Sequence, residues 1–368
     1  MLAAVEQVLA KTGLKATDID ILVTTGSTFH PVPSLGCMLV NAFKMRRDVK
    51  SYHLGCMACA AGGLGINLLR DLLKANRSSI ALFVPHENVT AGCYLGSDTS
   101  KFLANALFGM GAAALVLTNK RSLASRAKYK LLHSARAHVG QDDRVYRSMG
   151  IFEGDPAGDR IKYTADVPMA AASGIHAAVA MVAPKVLSCG QLAAAAKAAV
   201  LRRLKGPTAA PHYIPSFADS TIDHFLLHPG SHGLLKGFMK GLGLTVQHTL
   251  PSAAALRDYG NTSPSSTYYV LAYLESLVGI SKGQKLMQVS VGTGVKAGVN
   301  VWQALRDIQE QHPAWQHLQG VPVTEADLPL PLRAVQGEDS HADTAQTLKS
   351  MGVMGPAASK DVDIAASG

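Results

Sequence analysis

The chain has 368 residues, 48% hydrophobic and 17% charged, enough apolar material to bury one large core without division into several small domains. Lys and Arg outnumber Asp and Glu by 35 to 26, and the resulting +9 favours a polyanionic partner: nucleic acid, acidic lipid or a phosphate-bearing ligand. With aromatics at 6%, no interleaving of basic and stacking side chains, and no zinc-finger, basic-zipper or RNA-recognition pattern, the composition argues against nucleic acid.

The N-terminal MLAAVEQVLAKTG carries apolar residues at helical spacing with charges among them, so it reads as a helix to Lys11 rather than a secretory signal or membrane span. An apolar run from Ile19 to Thr25 reads as a buried strand. Ser34 follows the turn at Pro31 and Pro33 and can cap a helix through Met45. A strand at Ser51–Leu54 leads into a small-residue elbow and a helix to Lys74. Further strands are expected at Ile80–Val84, Ala113–Leu117 and Lys128–Ala137, and the alternation points to an α/β chain with helices on the faces of a layered sheet. From Arg144 to Ala218 the rhythm breaks into an irregular segment. Ala-rich helices between Ala170 and Leu204 follow, ending in Arg202, Arg203 and Lys205, and read as a cap or insertion. The most apolar stretch, Val167 to Pro184, contains His176 and is bounded by prolines, which fits a packed helix better than a bilayer crossing.

The sheet pattern resumes at HFLLHPG, followed by a short helix from about Ser252 to Tyr259, an elbow at Gly260, a helix through Leu277 and strands around Leu286–Val299. Strand, elbow, helix and strand thus occur twice, around Cys59 and around Asn261, which suggests two similar halves facing one another. The expected division is residues 1–165, residues 166–306 with the inserted helices near 170–205, and a disordered tail over 307–368, where periodicity is lost from about Gln309 onward.

Five cysteines, Cys37, Cys56, Cys59, Cys93 and Cys189, are an odd number in a long, core-rich chain and argue for reduced thiols facing the cytosol. HLGCMACAAGG places Cys59 where a strand gives way to a helix. Free N–H groups and the positive end of the helix dipole there can lower a thiol pKa from about 8.5 toward neutrality. The bland alternative is a buried, inert cysteine. Cys56 and Cys59 also form a C-x-x-C pair, but the aromatic and proline neighbours of a redox site are missing, and no second pair completes a zinc site. His224, His228 and His232 are four residues apart; Pro229 and Gly230 would break a helix, so HFLLH reads as a strand with His224 and His228 on one face. In GNTSPSS, Gly260 permits close approach, Asn261 offers an amide donor and Pro264 suits a first helical turn. GTG at Gly292–Gly294 is too short for a phosphate loop and reads as a turn.

The ordered set Cys59, His228 and Asn261, each at an elbow or strand end, resembles the Cys-His-Asn site of the condensing enzymes in the thiolase superfamily. DIDILVTTGSTFHPVPSLGCMLVN, LLRDLLKANRSSIALFVPHENVT, LFGMGAAALVLTNK, HVGQDDRVYRSM, YIPSF and HFLLHPGSHG, covering roughly residues 1–306, narrow the resemblance to plant-type 3-ketoacyl-CoA synthases. The resemblance implies a thiolase-like fold, two similar α/β halves in helix–sheet–helix–sheet–helix layers. It implies Cys59 as acyl acceptor, His228 and Asn261 as its partners, and His138, His224 and Gly294 as further site residues. It implies condensation of a long-chain acyl-CoA with malonyl-CoA, no cofactor or metal, a homodimer, reductase and dehydratase partners, and the cytosolic face of the endoplasmic reticulum membrane. Family members carry two N-terminal membrane spans and an opening strand that these residues do not include. Arg257 stands where the family usually has a histidine, and Cys56, Ala58 and Ser231 stand where it usually has glycines. A type III polyketide synthase and a non-catalytic dimerising subunit are the competing expectations.

Overall fold

A computed structural model of the chain describes residues 1–95, 102–150, 161–164, 166–205, 215–329 and 332. The N-terminal pattern folds as α1 (Leu2–Thr12), β1 (Ile21–Gly26) and α2 (Leu35–Ala42). Ser34 caps α2, its Oγ accepting from Cys37 N at 3.3 Å, but the helix ends three residues short of Met45 because Lys44 turns left-handed at φ 50°. Next come β2 (Lys50–Gly55), α3 (Ala61–Ala75), β3 (Ile80–Val84), β4 (His86–Glu87), α4 (Phe102–Leu107), β5 (Gly111–Ala112), β6 (Leu115–Thr118) and β7 (Tyr129–His138). After α5 (Asp143–Tyr146) and the two-residue pair β8 (Met149–Gly150) and β9 (Lys162–Tyr163) come the helices α6 (Val167–Val186) and α7 (Cys189–Lys205). The second half contains β10 (His224–Leu227), α8 (His232–Leu242), α9 (Val246–Tyr259), α10 (Ser266–Tyr273), β11 (Lys285–Gly292) and β12 (Lys296–Ala304). The stretches at 151–160, 206–214 and 333–368 lie outside the described residues.

Two four-stranded sheets result, ordered β2-β1-β3-β6 and β10-β11-β12-β7. The first is parallel except for β6, and the second pairs β10 with β11 in parallel and closes with antiparallel β12 and β7. β7 therefore leaves the half in which it is encoded and completes the other sheet, its ten residues lying alongside β12. α1 and α2 cover the outer face of the first sheet through Val5 and Leu39 against Leu22, Ile80 and Leu82. α3 lies between the sheets, with Ile66 and Leu69 against Ile21 and Phe83 on one side and its glycine-rich face against β11 and β12 on the other. α6 and α8 cover the far face of the second sheet. The layers are helix, sheet, helix, sheet, helix, a thiolase-like α/β arrangement. α6 buries Ala170, Gly174, Ile175, Ala178 and Val182 on that sheet, as a packed helix should.

Two expectations are corrected. α8 was not anticipated, because Gly233, Gly237 and Gly241 depress helix propensity by about 1 kcal/mol each; burial of Leu235, Phe238 and Leu242 and the Ser231 cap, whose Oγ accepts from Leu234 N at 3.1 Å, outweigh that cost. The stretch from 307 to 329 is not a loose tail. Trp315 is fully buried between Tyr259 and Tyr273, and Glu310 pairs with Lys11 and Lys128 at 2.5 Å. Glu275, Glu310 and His312 converge as metal ligands would, but Lys128 bonds both carboxylates, and the cluster is an ion-pair clasp tying this segment to β7.

Candidate active site

β2 ends at Gly55, and the chain reaches α3 through a tight turn in which Cys56 and Ala58 take left-handed φ values of 55° and 46°. Ala58 N donates to Ser27 Oγ at 2.7 Å, anchoring the turn to the loop after β1. Cys59 then sits in a short 3-10 turn, Ala58–Ala60, one step before α3, and is 4% exposed. Facing it is the elbow after α9, where Gly260 at φ 66° turns the chain. Asn261 is held on both sides of its backbone, its N–H donating to Leu107 O at 2.6 Å and its carbonyl accepting from Gly109 N at 3.1 Å. The LFGMG string serves this purpose, with Phe108 bridged to Asn261.

These elbows bring Cys59 and Asn261 together: Cys59 Sγ lies 3.7 Å from the side-chain amide. The Asn261 amide N–H also donates to Gly230 O at 3.3 Å, and its Oδ1 accepts from Ser263 N at 2.8 Å. His228 follows β10, extending its pairing through an N–H donated to Val289 O at 3.0 Å. Its ring folds back over Gly230, where an added Cβ would fall 3.0 Å from Nε2. Gly230 is thus the shared neighbour of His228 and Asn261. His228 is 2% exposed, and its Nδ1 has no hydrogen-bond partner.

Burial dominates the protonation of both groups. Desolvation pushes the Cys59 thiol up to about 11, against the opposing hydrogen bonds of Ser263 and Asn261 and with the nearby Glu87 adding to the rise. Desolvation takes His228 down to about 3. At neutral pH both are uncharged at rest. The expectation that the helix N-terminus lowers the thiol toward neutrality is therefore corrected: the field of a helix end is smaller than the cost of placing a thiolate in a dry interior.

Of the further residues expected, His138 Nε2 contacts Gly294 O at 3.1 Å at the turn joining β11 and β12. That turn touches the nucleophile loop, since a Cβ at Gly292 would lie 2.6 Å from Ala60 N and from Met57 O. His138 and Gly294 thus border the site. His224 does not: it opens β10, contacts Gln284 Oε1 at 3.1 Å, and lies four residues before His228, about 13 Å along the strand. Arg257 turns away to Asp258 and to the Asp327 carbonyl. Cys56 is exposed, with Sγ 3.6 Å from His30 Nε2, so the two cysteines of the C-x-x-C pair meet different partners. All five cysteines are free thiols.

Two participants escaped the sequence reading although both lie in strings it singled out. Ser263, left-handed at φ 56°, lies near enough to the Cys59 thiol to oppose the rise in its pKa, while its Oγ donates to Glu87 Oε2 at 3.4 Å. Glu87 is 1% exposed; its carboxylate accepts from Ser27 N, Thr28 N and Thr28 Oγ at 3.0–3.2 Å and from Ser263 Oγ at 3.4 Å. This buried carboxylate ties the loop after β1, β4 and the Asn261 elbow into one unit.

Residues 1–204 match the family described as FAE1/Type III polyketide synthase-like protein, and residues 216–304 match the 3-oxoacyl-[acyl-carrier-protein] synthase III C-terminal family. The chain is 36% identical over 332 residues to 3-ketoacyl-CoA synthase 16 of Arabidopsis thaliana, covering 90% of this chain and 67% of that protein. It is 37% identical over 310 residues to 3-ketoacyl-CoA synthase 2 of the same plant, covering 84% and 58%. The chain thus spans from just over half to two thirds of the length of these curated relatives. Among solved structures it is similar to the C-terminal type III polyketide synthase domain of Steely1 from Dictyostelium, with a TM-score of 0.64 at 20% identity over 81% of this chain and 74% of that one. It is also similar to 1,3,6,8-tetrahydroxynaphthalene synthase from Streptomyces coelicolor, with a TM-score of 0.62 at 21% identity over 82% and 76%. At that identity the likeness establishes the thiolase-like fold.

Proposed function

The chain belongs to the FAE1/type III polyketide synthase-like family, and from that premise we propose that it is a 3-ketoacyl-CoA synthase, an acyltransferase that condenses a long-chain acyl-CoA with malonyl-CoA. The observation that supports this reading is the Cys59 thiol 3.7 Å from the Asn261 amide, with Gly230 beside both that amide and the buried His228 ring, whose Nδ1 has no partner.

In the first step, neutral His228 takes the Cys59 proton as the sulfur attacks the acyl carbonyl. The CoA thiolate leaves, recovers that proton, and an acyl-Cys59 thioester remains. A histidine already protonated could not accept it; burial keeps His228 neutral, and the same burial weakens it as a base. In the second step, the bond between the malonyl α-carbon and its carboxylate breaks and CO2 departs. The electron pair moves to the thioester oxygen, where the His228 N–H and the Asn261 amide N–H donate to the developing charge. The enolate carbon then attacks acyl-Cys59, the sulfur leaves as thiolate and takes up one proton, and 3-oxoacyl-CoA is released. Backbone N–H groups at Cys59 and near Gly294 would receive the second oxyanion. No cofactor or metal enters these steps.

We further propose a homodimer formed through β2, an edge strand whose residues from Lys50 to His53 are exposed, leaving a row of backbone groups open to a second copy. Removal of the 3-oxoacyl product by a reductase partner, followed by loss of water from the resulting 3-hydroxyacyl group at a dehydratase partner, at the endoplasmic reticulum belongs to the same reading. The test is intact mass after mixing the protein with a long-chain acyl-CoA. An adduct on wild type and none on Cys59→Ser supports the covalent step, and no adduct across several chain lengths overturns it. Product length separates a single condensation from the repeated extension of a polyketide synthase.

A further inference from the structure

α7 is attached to the body at its N-terminal turn, through Leu192, which packs against the core from the side of the helix, and a Gln191 Nε2 bond to Ser216 O at 2.6 Å on the face opposite Val200. Its outer face reverses the usual arrangement, in which a surface helix turns charge to water and apolar residues inward. Ala193, Ala196, Val200 and Leu204 are all exposed, Val200 at 56% and Leu204 at 76%. At about 100° per residue they fall within about 40° on either side of Val200, a single stripe along the helix. Lys197 and Arg203, both exposed, stand at about 60° on its two sides. The surrounding sequence has one sign of charge: between Asp166 and Asp219 there is no Asp or Glu, while Lys185, Lys197, Arg202, Arg203 and Lys205 occur.

We infer that the outer face of α7 is a membrane-surface contact, lying in the headgroup region of a bilayer that contains anionic lipid. The apolar stripe supplies shallow burial, and the flanking cations face lipid phosphates. Charge selects this occupant over a second copy of the chain, because two such faces would set Lys197 and Arg203 against their own equivalents. Geometry selects a surface contact over a crossing, because α7 is already held to the protein body at its N-terminal turn.

The contact is independent of condensation chemistry and can be read without it. The full chain is sedimented with phosphatidylcholine vesicles and with vesicles in which about a third of the lipid is phosphatidylserine. Wild type should bind the anionic vesicles and release as salt rises above about 0.1 M, where the screening length falls below about 10 Å. Lys197→Ala with Arg203→Ala should weaken binding about 25-fold, from roughly fivefold per cation near an anionic surface. Val200→Asp with Leu204→Asp should abolish it while leaving the acyl-Cys59 adduct and the circular dichroism unchanged. Failure of wild type to bind, or equal binding by both double variants, overturns the inference. A change in solution mass of the Val200→Asp, Leu204→Asp variant, with vesicle binding retained, would assign the stripe to a protein interface and overturn it too.

Discussion

Asn261→Ala separates the two half-reactions. Its backbone remains pinned by the bonds to Leu107 O and from Gly109 N, so the elbow keeps its path while the side chain is lost. The amide removed is the donor 3.7 Å from Cys59 Sγ, and loss of one such donor costs about 2.7–4 kcal/mol, or roughly 100- to 1000-fold, in the step where charge appears. That step is malonyl-CoA decarboxylation. Acyl transfer to Cys59, which in the proposed mechanism uses His228 as base, should fall less than about tenfold, the scale of a single neutral hydrogen bond. Ser263 N and Gly230 O also lose partners, so stability should fall by about 2–4 kcal/mol, from about 1–2 for each buried group left unpaired. The assay follows acyl-enzyme formation by intact mass, CO2 release from labelled malonyl-CoA, and thermal unfolding on the same preparation. Equal slowing of both half-reactions, or decarboxylation within about tenfold of wild type in a folded variant, would refute the assignment of Asn261 to the enolate oxygen.

Other perturbations test the framework of the site. Gly62→Ala puts a methyl group inside the contact distance of the Pro264 carbonyl, and should cost about 1–3 kcal/mol and reduce the acyl adduct as the two elbows separate; unchanged unfolding and adduct yield would mean that they do not abut. Alkylation of Cys59 by iodoacetamide, read by peptide mapping, should rise about tenfold per pH unit from about pH 7 to 10, because burial holds the thiol near 11. A plateau already at pH 7 would show that the proton passes to His228 at rest. Glu310 loses solvation on burial, yet Lys11 and Lys128 outweigh that and bring it down to about 2 from 4.5. Its contribution to stability is present above pH 4.5 and is lost as pH falls toward 2; with partial exposure it amounts to about 1 kcal/mol. Glu310→Gln should flatten the acid limb of the stability curve by that amount, measured by urea unfolding.

Local signals in the sequence sufficed wherever the fold is decided locally. The buried strands at Ile21–Gly26 and Ile80–Val84, the small-residue elbow before α3 and the glycine elbow at Gly260 follow from runs, caps and turn residues that short windows contain. The order of Cys59, His228 and Asn261 was legible because each sits where such an element ends. What escaped depends on partners far away in the chain. Trp315 in a polar, aperiodic stretch gives no periodic signal, yet its indole donates to Tyr269 O at 3.0 Å and fills a gap between aromatic rings. α8 is stabilised by the face it buries and not by its glycine-rich composition. His224 and His228 share a face by period, but period cannot say which end of the strand lies beside Gly230 and the Asn261 elbow. The protonation of Cys59 escaped for the same reason: the helix end is visible in HLGCMACAAGG, whereas the burial that outweighs it is a property of the folded core that no short window contains.

The same contacts that close the core also align the chemistry. Gly62 and Gly63 bring the first turn of α3 against Pro264 and Ser290, and Tyr268 of α10 donates its hydroxyl to Gly62 O at 2.7 Å. α3 and α10 follow the two elbows directly, so their packing in the central layer fixes the separation of Cys59 and Asn261. Glu87 adds a polar tie between the loop that holds Ala58 and the elbow that holds Ser263. Removing its carboxylate would leave several buried donors without an acceptor, a change felt at both ends of the site at once. Glu87→Gln keeps the shape and one acceptor oxygen but withdraws the charge that helps raise the Cys59 thiol. That variant should therefore move the alkylation profile of Cys59 to lower pH while thermal stability drops, and an unmoved profile would detach Glu87 from the nucleophile and leave it a purely structural tie.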